Sequence, residues 1–149
     1  MIRDTLINDF FRGISSSHSL DKSEVERFSP LVLAYVGDAV FEVFIRTMLV
    51  AKGEAPVYRL HGRSIGYVKA KAQSDIVHRL MDSLTPVEQD IVRRGRNAKS
   101  GTIPKNADVT EYRYATGFEA LLGYLYLTNN LTRLQEILKM SVDDEHGRD

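Results

Sequence analysis

The 149-residue chain contains no cysteine, so disulfides and thiolate metal sites are both excluded. That absence suits a reducing, cytoplasmic setting. Neither sign of charge is in excess: 20 basic residues balance 20 acidic ones. A neutral chain is a candidate for nucleic-acid binding only where its positive charge is concentrated. No uncharged apolar run reaches the length of a membrane span, because Glu42 and Arg46 interrupt the longest one. The opening stretch, MIRDTLINDFFRGIS, has charges within every apolar run and does not read as a signal peptide. Strand alternation, internal repeats and long linkers are all missing. So are the GxxxxGK[ST], GxSxG and HExxH signatures of phosphate-cradling loops, serine hydrolases and zinc proteases. The expectation is one all-α domain over residues 1–149. Its core spans about 29–140, preceded by a helical extension over 1–28 and followed by a polar tail over 141–149.

What is present starts with Leu31–Arg46, LVLAYVGDAVFEVFIR, which is apolar nearly all round yet carries Asp38 and Glu42. Ser29-Pro30 supplies an N-cap and a first-turn proline, so a helix is expected from Pro30 to Lys52 with Gly53 as its stop. Gly37 inside it would let another backbone approach closely. Residues 1–12 predict a short helix, Asp21–Glu24 another helical start, and Pro56 the opening of a helix with four-residue apolar steps from Leu60 to Leu80. Thr85-Pro86-Val87-Glu88 is a capping-box start for a helix ending at Gly95. Arg93–Asn106, RRGRNAKSGTIPKN, reads as a loop. Asp108 opens a helix to about Thr128 that carries Glu119, and Leu131–Met140 forms the last one.

Two apolar helices that carry acids form the chemically interesting pattern. If Asp38 and Glu119 face each other, both ionise only with a cation between them. An oxygen-rich site of that kind suits Mg²⁺. Blander readings stand beside this one. Asp38 after Gly37 fits a helix N-cap, and Glu42 and Glu119 fit surface glutamates paired with lysine. Residues 93–113 hold six basic side chains against two acidic ones, with Asn97, Ser100, Thr102 and Asn106 as neutral donors. Such a mixture suits a phosphate backbone, or else a solvated loop. The four histidines lack metal-ligand spacing and read as surface residues.

LAYVGDAVFEVFIR and RGRNAKSGTIPKNADVTEYRYATGFEALLGYLYL together resemble the ribonuclease III family, most closely its short bacterial Mini-ribonuclease III branch. The likeness runs from about Leu31 to Leu127. It implies an all-helical, homodimeric endonuclease domain that cuts double-stranded RNA with Mg²⁺, for which Mn²⁺ can substitute. By the same resemblance Asp38 and Glu119 are the catalytic metal ligands. A further family glutamate falls on Asp75, one methylene shorter. Other family acids fall on Leu31, Ala34 and Thr116, which supply no carboxylate. Few residues follow Leu127, so no separate RNA-binding domain is expected. RNA contact then falls to Arg94, Arg96, Asn97, Lys99, Lys105 and Arg113. The resemblance implies a stem in the large-subunit (23S) ribosomal RNA precursor as substrate, with a ribosomal protein as a candidate partner. A non-catalytic RNA-binding or ribosome-associated module of the same fold is the competing reading, because one acid is missing at Thr116. A helical dimerisation module without nucleic acid is a third.

Overall fold

The computed structural model describes Asp9, Gly13 and residues 20–99 and 102–143. The helix expected over residues 1–12 (Asp9 apart), Ser100, and most of the 141–149 tail lie outside the described residues. The described chain runs α1 Lys22–Glu26, α2 Pro30–Ala51, α3 Val57–Val68, α4 Ala70–Leu80, a 3₁₀ turn at Met81–Ser83, α5 Pro86–Asn97, α6 Val109–Leu127 and α7 Leu131–Val142. There is no strand among the described residues, and the fold is all-α as expected.

Most of the sequence signals for helix ends hold, although Asp21, at the start of α1, makes no side-chain cap. The Ser29 hydroxyl accepts the Val32 N–H (3.3 Å) at the start of α2, and Gly53 (φ +140°) follows its end in a conformation that favours glycine. Thr85 and Glu88 form a reciprocal capping box, and Asp108 accepts the Glu111 N–H at 3.0 Å. Glu88 also receives Arg133 of α7, through Nε at 2.9 Å and Nη2 at 2.8 Å, which ties α7 to the start of α5. Burial alone would raise the Glu88 pKa. The Arg133 guanidinium and the Thr85 backbone N–H more than offset it and hold the carboxyl below its ordinary value.

Helix α6 is the axis of the bundle. It packs against α2, α4, α5 and α7, and Phe41 of α2 meets Phe118 of α6 edge to face at 5.3 Å. Every residue from Ala115 to Leu125 is buried except Glu119. An acid therefore interrupts the buried run of this central helix near its middle.

Two expectations are corrected. The Leu60–Leu80 periodicity predicts one helix, but α3 and α4 are separate, broken at Lys69 (φ −61°, ψ 153°). The break turns α4 so that Gln73, Ser74, Ile76, Val77 and Leu80 are buried. Across it, Gln73 Nε2 donates to the Val68 carbonyl at 2.7 Å. The second correction concerns α5, which does not stop at Gly95 but continues to Asn97. Gly95 is an interface glycine: a Cβ there would lie 2.7 Å from the Gly117 Cα of α6. Arg93, Arg94 and Arg96 are thus helical, not part of a loop.

Candidate active site

The crossing of α2 over α6 is set by backbone contact. A Cβ on Gly37 would overlap the Glu119 carbonyl oxygen, and one on Gly123 would overlap the Leu33 carbonyl oxygen. Only glycine permits this approach. It brings the next residue, Asp38, beside Glu119. Asp38 sits well inside α2, so it is not an N-cap. Its side chain is exposed rather than buried, while Glu119 is half-buried.

The two carboxyl groups lie close enough to interact directly. Burial, then the hydrogen bond and repulsion from Asp38, push the Glu119 pKa up to about 9; a hydrogen bond from Gln73 pulls the other way, and Glu42 adds a weaker repulsion. Without a cation, Glu119 therefore keeps its proton at neutral pH. Gln73 is 2% exposed, and its Oε1 is buried with no hydrogen-bond partner. The Gln73 amide that meets Glu119 thus carries an unpartnered oxygen, and with the two carboxyl groups it makes a hard-oxygen donor set of the kind that fits a divalent cation. No cluster of three or more His, Cys, Asp or Glu suited to a metal occurs among the described residues. The third oxygen at this site comes from an amide.

Asp75 is placed elsewhere. Its side chain is 62% exposed and pairs with Lys71 at 3.2 Å. It lies two residues from Gln73, about 200° round the same helix. Glu42 pairs with Arg46 at 3.1 Å. Thr116 is buried and donates its hydroxyl to the Tyr112 carbonyl (3.0 Å), so it is satisfied within its own helix. Gln73 carried no sequence motif; its signal was a polar residue at a position that only the α3–α4 break turns inward.

Of the basic residues, Arg94, Lys99, Lys105 and Arg113 are exposed, as is Asn97. Arg93 pairs with Asp90. Arg96 is half-buried and donates to Asn97 Oδ1 and to the Tyr114 hydroxyl, each at 3.2 Å. Lys105 precedes Asn106, which adopts a left-handed conformation (φ 74°).

Comparison with known proteins identifies the family. The Ribonuclease III domain family matches residues 31–130. A Mini-ribonuclease 3 from Thermoanaerobacter sp. is 54% identical over 129 residues, covering 87% of this chain and 91% of the relative. Another, from Clostridium tetani, is 46% identical over 123 residues and covers 82% of each chain. A crystal structure of a protein from Fusobacterium nucleatum superposes with a TM-score of 0.73 at 31% identity, covering 80% of this chain and 95% of that one. The chain therefore belongs to the ribonuclease III family, in its Mini-ribonuclease 3 branch, and is an endoribonuclease.

Proposed function

We propose that this endoribonuclease cuts double-stranded RNA with Mg²⁺, or Mn²⁺ in its place, held by Asp38 and Glu119 with Gln73 Oε1 beside them. The observation that carries the reading is the contact of two carboxyl groups next to an unpaired buried amide oxygen. When bound, the cation would activate water and neutralise charge on the scissile phosphate. The chain's own residues do the rest. Asp38, exposed at the rim, faces the substrate side, and Glu119 is fixed by the core helix behind it. Asp75, paired with Lys71 on the exposed face of α4, is left out of this ligand set. Arg94, Arg96, Asn97, Lys99, Lys105 and Arg113 supply phosphate contacts, and an A-form duplex is recognised mainly by shape. The proposed substrate is a stem of the large-subunit (23S) ribosomal RNA precursor in the cytoplasm, leaving 5′-phosphate and 3′-hydroxyl ends, with a ribosomal protein as an auxiliary partner. No helix among the described residues is long and apolar enough to cross a membrane.

A homodimer completes the proposal. Val32, Tyr35, Val43 and Val50 form an exposed apolar stripe along α2. A second copy packed on it would bury the stripe and place two sites on opposite strands of one duplex.

Incubation of the protein with a duplex RNA tests the reading. Cleavage in Mg²⁺, none in EDTA, and none by Asp38→Asn at retained RNA binding and helicity are expected. Full activity of Asp38→Asn overturns it.

A further inference from the structure

One set of contacts outside the acid pair links three helices in series. His78 of α4 donates Nδ1–H to the Ser74 carbonyl (2.7 Å), which fixes its ring. That ring packs on Tyr114 of α6, with centroids 4.1 Å apart and planes at 46°. The Tyr114 hydroxyl accepts from Arg96 Nη1 of α5 (3.2 Å), and the guanidinium carbon lies 5.5 Å from the ring centroid. Nε donates to Asn97. Arg96 Nη2 makes no hydrogen bond among the described residues, so part of the planar fork keeps its donors free.

This arrangement separates Arg96 from the other cations of the patch. Arg94, Lys99, Lys105 and Arg113 are exposed, and among the described residues none of them is held against an aromatic ring. A flexible cation loses rotamer freedom on gripping a phosphate, whereas a guanidinium already held in place loses less. Its position is also informative. Gln73 meets Glu119 across the α4–α6 seam, and His78 meets Tyr114 across the same seam. Both partners are displaced by five residues (78 − 73 and 119 − 114), so the stack lies about 7.5 Å along the helix axes from the Gln73–Glu119 contact and about 140° round them.

We propose that Tyr114 and His78 are positioning residues that hold the Arg96 guanidinium ready for an RNA phosphate neighbouring the one that is cut. The inference rests on the double-stranded RNA reading and deepens it. Arg96 is the phosphate-binding group. Tyr114 acts through it, and His78 acts through Tyr114. A contact to a phosphate that does not react is made equally in the ground and transition states, so it acts on KM rather than kcat.

The test uses the full chain and a duplex RNA, with binding measured in EDTA and steady-state cleavage in Mg²⁺. Arg96→Ala raises Kd and KM by about tenfold, and Tyr114→Phe raises them by about threefold, with kcat changed less than about twofold. In the Arg96→Ala background, Tyr114→Phe has no further effect, because its only route is through the missing guanidinium. Arg96→Lys does not restore binding, since an ammonium cannot use the same two-sided hold. An undiminished Tyr114→Phe effect in the Arg96→Ala background overturns the proposal, as does an unchanged Kd in Tyr114→Phe. Thermal melting confirms that each variant is folded. If the wild-type protein cuts no duplex RNA, the function proposed above fails, and the binding measurements, extended to His78→Ala, still decide the roles of Tyr114 and His78: an unchanged Kd in His78→Ala removes His78 from the proposal.

Discussion

Glu119 is the residue at which fold and chemistry meet. In the metal-free protein its carboxyl keeps its proton up to about pH 9, against 4.5 for an ordinary glutamate. Between those values the folded chain binds one more proton than the unfolded chain, so stability falls as pH rises from about 5 towards 9. Thermal melts in EDTA across that range should show the decline. Glu119→Gln, which carries no charge to suppress, should flatten it and raise Tm most at the alkaline end. A wild-type Tm that climbs from pH 5 to pH 9 in EDTA would contradict the assigned protonation. At this scale the sequence was informative where an acid stood in apolar surroundings, as Asp38 and Glu119 do. It was silent on Gln73, whose inward turn depends on a helix break, and on the His78–Tyr114–Arg96 stack, whose members lie on three helices. Asp75, which the resemblance offered as a further acid, is exposed and pairs with Lys71.

At the scale of elements, glycine decides which helices touch. Gly37 and Gly123 join α2 to α6, and Gly95 and Gly117 join α5 to α6. Gly37→Ala forces backbone apart and should cost about 3 kcal/mol or more, with loss of cleavage because Asp38 moves from Glu119. The control is Gly62→Ala or Gly66→Ala in α3, where nothing lies within 4 Å of an added Cβ. Those changes should stabilise the chain by up to about 1 kcal/mol through helix propensity. Denaturant titration and a cleavage assay read both arms. Equal stability of Gly37→Ala and the parent would contradict the backbone contact. Helix starts were legible because Ser29, Thr85 and Asp108 cap their own backbone. The end of α5 was not: Gly95 has the composition of a stop signal, and only its neighbour Gly117 reveals it as a contact.

For the whole molecule, the exposed stripe on α2 is the feature that the single chain leaves unresolved. Tyr35, in the second turn of α2, is 75% exposed. Sedimentation should give a dimer for the parent protein and a monomer for Tyr35→Glu, which would bring two like charges together near a two-fold axis. The variant should also lose cleavage while its chain remains helical by circular dichroism. A dimer that survives Tyr35→Glu unchanged would exclude this face. The sequence showed that α2 is apolar on nearly every side. It did not show which side the rest of the chain covers, because that depends on where α6 crosses.

The paired glycine contacts on two sides of α6 also fix its register. A slide by one residue would set the Phe118 ring where Gly117 now meets the Val92 carbonyl, and a rotation would drive Tyr124 into the space of Gly123. No small screw motion is open to this helix, so it behaves as a rigid spindle whether or not a cation is held at its midpoint. The amide hydrogens of residues 115–125 should accordingly exchange with heavy water only when the entire chain unfolds, with one common opening free energy that moves with global stability.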